Sequence, residues 1–181
     1  MNTICRKTNM LHAIKFLPIQ IAIFGLVVIG TVKIAHSAQV LETFRDWIAF
    51  VHKTDDQKIC FITSVPKRTL PANVRRGKIH FYITTWPGAN DHNQISVRIG
   101  YPFKPGSVTT AEIGSDKFEL FTEKEFAFVK DRNNEQKLVA AMKRGNAMVV
   151  KGISARGTLT TDNYSLSGIS SALNRMAKEC P

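Results

Sequence analysis

The sequence predicts a mainly β domain, an antiparallel β-sandwich decorated by two short helices, with a small closed β-barrel as the competing architecture. Three observations carry that expectation. About nine short runs rich in Val, Ile, Thr, Phe and Tyr are punctuated by turn residues, the spacing of an all-β fold. Two of these runs alternate cleanly: Ile79, Phe81 and Ile83 against Lys78, His80, Tyr82 and Thr84, then Ile95, Val97 and Ile99 against Ser96 and Arg98. Period two with one apolar face marks a half-buried antiparallel strand. The third observation is a hairpin between Gly145 and Gly168, where Ala147 to Ser154 and Thr158 to Leu166 are joined by Ser154-Ala-Arg-Gly157. A short link with a glycine able to take positive φ suits a tight turn, here with Arg156 at a cationic tip. The apolar phase of the second arm slips between Leu159 and Tyr164, which Asp162-Asn163 would accommodate as a bend or bulge.

Taken in order, residues 1 to 38 read as a leader. Arg6, Lys7 and Lys15 precede an apolar run from Phe16 to Val32, and Ala35-His-Ser-Ala38 supplies small residues for cleavage after Ser37 or Ala38. The alternative is an uncleaved inner-membrane anchor through residues 16 to 32, a length near the ~18 to 20 residues that cross a bilayer; Pro18 and Gln20 weaken it. Residues 39 to 181 then form one domain, since no internal repeat or low-complexity block argues for more. The whole chain has a net charge of +11; removing Arg6, Lys7, Lys15 and Lys33 from the 25 cations leaves 21 against 14 acids, or +7. Such an excess favours solubility and attraction to anionic surfaces without naming a partner.

Phe44 to Val51 and Lys58 to Val65 are expected as paired strands around the polar link His52 to Gln57, followed by Lys78 to Trp86 and Gln94 to Tyr101 around the turn-rich Trp86 to Asn93. Thr109 to Ile113, Lys117 to Thr122 and Glu125 to Val129 are shorter strands. Asn133-Asn134 offers an N-cap to a helix over Glu135 to Arg144 that ends at Gly145. The C-terminal helix is the clearest, with Ile169, Ala172, Leu173, Met176 and Cys180 at helical spacing on one stripe. Once Cys5 is set aside with the leader, only Cys60 and Cys180 remain, and two thiols in an oxidising compartment most simply form one disulfide.

The densest cationic run is Lys67, Arg68, Arg75, Arg76 and Lys78, within one inter-strand connection. With Trp86 and Arg156 these are the candidate contact residues, for which anionic lipid, lipopolysaccharide or acidic glycan are suitable partners. Each has a plainer reading as turn geometry or solubility. Nucleic acid is not expected, because no groove-reading helix or aromatic-basic motif is present. No catalytic, metal or cofactor motif emerges: His52, His80 and His92 have no local ligand partners, and Gly152-Ile-Ser-Ala-Arg156 lacks the closing glycine of a nucleophile elbow. A glycan-directed hydrolase would need carboxylates assembled from distant strands.

A second kind of signal comes from a set of motifs. Phe44-Arg-Asp-Trp47, Cys60, Gly100-Tyr-Pro102, Ile113-Gly114, Met142, Gly145, Met148, Gly152-Ile-Ser-Ala-Arg-Gly-Thr158, Asp162, Tyr164-Ser-Leu-Ser-Gly168, Ala172-Leu173 and Cys180 fall in an order that resembles the invasion-associated locus B family, exported proteins of alphaproteobacteria. The chain departs from that pattern after Trp47, where Ile48 to His52 contains no cysteine although family members often carry one there. The resemblance implies an immunoglobulin-like sandwich and a virulence role in invasion of host cells such as erythrocytes. On that basis the expected function is a non-enzymatic envelope protein, in the periplasm or at the outer membrane or cell surface, acting by binding. A periplasmic envelope stability factor and a hydrolase without a local motif are the alternatives.

Overall fold

The computed structural model describes residues 37–89 and 91–181; apart from Ser37 and Ala38, the leader and anchor readings fall on residues outside these. The described chain builds β1 (Gln39–Phe44), β2 (Trp47–Lys53), β3 (Lys58–Ser64), β4 (Arg68–Leu70), β5 (His80–Trp86), β6 (Asp91–Arg98), β7 (Val108–Ile113), β8 (Asp116–Glu123), β9 (Phe126–Val129), helix α1 (Arg132–Arg144), β10 (Ala147–Ile153), β11 (Leu159–Ser165) and helix α2 (Ile169–Glu179). All strand pairs are antiparallel, in the order β1-β2-β3-β5-β6-β9-β8-β7-β10-β11-β4. The mainly β class with two helices, one C-terminal, is therefore as expected. The sheet is open, with β1 and β4 as its edges, so the closed barrel is excluded.

The two layers of the expected sandwich are two parts of this one sheet, which curls until its ends face each other. The indole of Trp47 on β2 donates to the carbonyl of Ser165 on β11 at 3.1 Å, and the rings of Phe81 on β5 and Tyr164 on β11 meet edge to face at 5.9 Å. Alternation drives this curl. Trp47, Ala49 and Val51, then Phe81 and Ile83, then Ile95 and Val97 all point inward into one continuous core. The outward positions of the same strands carry Phe50 stacked on Phe61 at 4.9 Å, with Tyr82 edge-on to Phe61 at 6.1 Å.

Four expectations need correction. The first strand does not run unbroken from Phe44: the chain reverses at Arg45, φ 54°, and Gln39–Phe44 pairs back on β2. The basic connection is not all loop, because Arg68–Leu70 adds to β11 as an edge strand. Helix α1 starts earlier than expected, capped by the Asp131 carboxylate, which accepts from Asn134 N at 2.9 Å. The hairpin has no bulge: β10 and β11 stay in register from Ala147↔Ser165 to Ile153↔Leu159. Thr160, Asp162 and Tyr164 simply take the inward phase, which places a carboxylate in the core.

Helix α1 lies on β6, β8 and β9, fastened where the buried Glu135 accepts from Ile95 N at 3.0 Å. It ends at Gly145 as expected, although with φ −84° the reason is space: a Cβ there would sit 2.5 Å from Ile113 Cγ2. Helix α2 lies on β1, β2 and β3 and buries Ile169, Ala172, Leu173 and Met176. Its stripe delivers Cys180 to Cys60 on β3, and the two form the disulfide with Cα atoms 6.0 Å apart.

Candidate binding site

The site begins with Asp162. A carboxylate at 0% exposure must be paired and hydrogen-bonded, since an isolated buried charge is costly. Arg76 meets it as a fork, Nη1 donating to Oδ1 and Nη2 to Oδ2, each at 2.6 Å. The same guanidinium donates to the Ile99 carbonyl from Nε at 3.0 Å and Nη2 at 2.7 Å, and lies 5.1 Å from the centre of the Tyr101 ring. The Tyr101 hydroxyl is 2.6 Å from Thr160 Oγ1, and burial pushes it up from the ordinary tyrosine value against the lowering effect of that hydrogen bond. Arg76 thus lies inside the protein, with its side chain only 5% exposed.

Two glycines make this approach possible. Gly77 N donates to Gly100 O at 2.8 Å, and a Cβ on Gly100, φ +81°, would stand 2.7 Å from Gly77 O. Bare backbone on both sides lets residues 75–77 lie flat against residues 99–101. Arg76 is then turned inward while its neighbour Arg75 stays exposed.

Across from Arg75 is the hairpin tip. Ser154 N donates to Thr158 O at 2.9 Å, Gly157 N to Ser154 O at 2.7 Å and Thr158 N to the Ser154 hydroxyl at 3.1 Å. Gly157 takes φ +83°, the conformation expected of it. Ala155 N donates to Pro102 O at 2.8 Å and Lys104 N to Ile153 O at 2.9 Å, which fixes the tip against residues 102–104. Between the tip and residues 74–76 lies a cavity of about 290 Å³, walled by Val74, Tyr101, Pro102 and Ala155, with Arg75 and Arg156 beside it and the hydroxyl-bearing Ser154, Thr158 and Thr160 in its lining. Among the described residues neither Arg75 nor Arg156 has an acidic partner.

The remaining candidates are dispersed. Lys67 is ion-paired to Asp46, whose carboxyl is held below its ordinary value chiefly by that lysine, and its backbone is anchored to Asn163 O at 2.7 Å. That anchor lies toward the end of β11 away from Arg156. Arg68 is exposed on the edge strand and Lys78 is exposed before β5. Trp86 is half-buried, its ring N–H donating to Gln94 Oε1 at 3.3 Å, and it lines a different cavity of about 370 Å³ with Lys58 and Pro87. The seven candidates therefore do not make one patch. Arg75, Arg76 and Arg156 converge, one of them as a buried strut.

Sequence reasoning missed Asp162, Tyr101, Thr160 and Ser154. The available signal was the phase of β11: with Tyr164 inward, the i−2 and i−4 positions Asp162 and Thr160 are inward too. No group of three or more His, Cys, Asp or Glu side chains among the described residues could hold a metal ion. The cavity beside Arg75 has no carboxylate or imidazole in its lining.

No curated protein and no solved structure is a significant match to this chain. A family model does match, over residues 47–177, and its span includes both halves of the Arg76–Asp162 strut and the hairpin tip. Its description is Invasion associated locus B (IalB) protein. The chain belongs to that family.

Proposed function

We propose that this invasion-associated locus protein is exported to the periplasm or cell surface and acts there without catalysis, by binding a partner used in invasion of host cells such as erythrocytes. The observation that carries the binding reading is the pair of guanidiniums, Arg75 and Arg156, unpartnered among the described residues and brought from separate segments to one rigidly held cavity. Loop tips on a rigid sheet scaffold are common positions for recognition. The family is not a known enzyme family, and the lining of the cavity supplies neither a general base nor a nucleophile with an oriented partner. The cationic rim suits an anionic partner.

The test combines location with binding. Protease treatment of intact bacteria should digest the protein if it reaches the surface, and purified protein should bind erythrocytes in a saturable way at physiological salt. Complete protection from protease together with absence of cell binding would reject a role at the host surface and favour a periplasmic stability factor.

A further inference from the structure

We infer that the cavity between Val74–Arg76 and Ser154–Thr158 is a subsite for one acidic sugar residue, a carboxylate-bearing ring exposed on a longer glycan; this rests on the binding function proposed above. The chemistry of the walls favours that class. A guanidinium presents a planar fork of donors matched to a carboxylate, and the cavity has one on Arg75 and one on Arg156, both unpaired among the described residues. The Ser154 hydroxyl accepts from Thr158 N and retains its own proton to donate. Val74, Pro102 and Ala155 add apolar surface of the kind the C–H face of a sugar ring covers. An inorganic anion would leave those apolar walls unused.

Size and charge argue against a lipid surface. At about 290 Å³ the cavity stands at the small end of the ~300 to 1,000 Å³ typical of ligand sites, which suits one ring-sized group. Recognition of anionic membranes usually takes a cluster of about four to eight cations. Here Arg76 is consumed by Asp162 and Lys67 by Asp46, leaving Arg75 and Arg156 as the arginines of this lining unpaired among the described residues, while the exposed Arg68 and Lys78 lie outside the lining. The strut that removes Arg76 from the surface also preorganises the cavity wall, so little ordering is needed when a ligand binds.

The experiment is an amide-shift titration of the isotopically labelled, purified protein with sodium glucuronate and with sodium N-acetylneuraminate. Glucose, inorganic phosphate and phosphatidylglycerol vesicles at equal ionic strength are the comparison arms. Both acidic sugars should shift residues 74–77 and 155–158, glucose should not, and R75A or R156A should weaken the response about tenfold or more, the scale of a lost hydrogen bond to a charged group. Equal shifts with glucose, a response only to phosphate or to vesicles, or unchanged titrations in both variants would overturn the inference. Saturable erythrocyte binding retained in R75A/R156A, with no sugar response, would remove the subsite and leave the proposed function intact. Sugar shifts in a protein that binds no host cell would do the reverse.

Discussion

Arg76 and Arg75 are adjacent and identical in type, yet one is buried and the other exposed, and the difference is set by Asp162. Removing one partner of a buried pair strands the other charge, so Arg76→Ala should cost about 3 to 5 kcal/mol in denaturant unfolding. Arg75→Ala, at a residue exposed and unpaired among the described residues, should stay within about 0.5 kcal/mol. Equal stability of the two variants would show that Asp162 does not need its partner. A second expectation concerns Gly100, whose φ of +81° and contact with Gly77 O leave no room for a Cβ. Gly100→Ala should destabilise by about 1 to 3 kcal/mol, read from the same unfolding curves, and should move the amide signals of residues 75–77. None of this was legible as a pair. Five cations in one run read as a solvated connection, and Asp162 reads as part of a bend or bulge, because local sequence does not reveal that a charge is paid for by a residue 86 positions away.

At the level of elements, legibility followed burial pattern. The inward stripe of α2 and the alternation of β5 and β6 are written in period and are found, although β6 runs Asp91–Arg98, three residues earlier at each end than the expected Gln94 to Tyr101. Strands β1 and β4 were missed because they are edges: their residues are mostly exposed, and their existence depends on backbone pairing to β2 and β11. The α1 cap moved from Asn133-Asn134 to Asp131, since any short polar side chain at that turn competes for the same backbone N–H groups. The disulfide ties α2, the last element, to β3 across a separation of 120 residues. Cys60→Ser/Cys180→Ser should therefore lower unfolding free energy by about 2 to 5 kcal/mol, chiefly through the freed unfolded chain, while the apolar stripe keeps α2 docked. A helical content that falls at ambient temperature in this variant would show that the stripe alone does not hold the helix.

For the whole molecule, the curl of one open sheet decides where charges end up, and this predicts how stability responds to acid. Burial, followed by the charges of Lys78 and Arg98, pushes His80 below its ordinary value of 6.5 in the folded chain. The unfolded chain binds that proton first, so the contribution is complete above about pH 6.5 and is lost as pH falls through the folded value. The carboxyls of Asp46, Glu112 and Glu179 are held low chiefly by hydrogen bonds from Lys67, Lys151 and Lys58. Their contributions are present above the ordinary carboxylate range and disappear at more acid pH, as each titrates in the folded state. The melting temperature should thus fall in two stages, and His80→Gln should flatten the upper one. A wild-type melting temperature unchanged between about pH 7.5 and 5.5 would contradict the role given to His80.

The same arrangement of the whole chain separates the cations paired within the fold from the exposed Arg75 and Arg156, on which the proposed recognition of a partner rests. That recognition is tested most directly by saturation binding of purified wild type and Arg75→Ala/Arg156→Ala to erythrocytes at physiological salt, with melting temperatures measured alongside. Matched melting temperatures are expected, with binding weakened about tenfold or more. Undiminished binding by a fully folded double variant would contradict it.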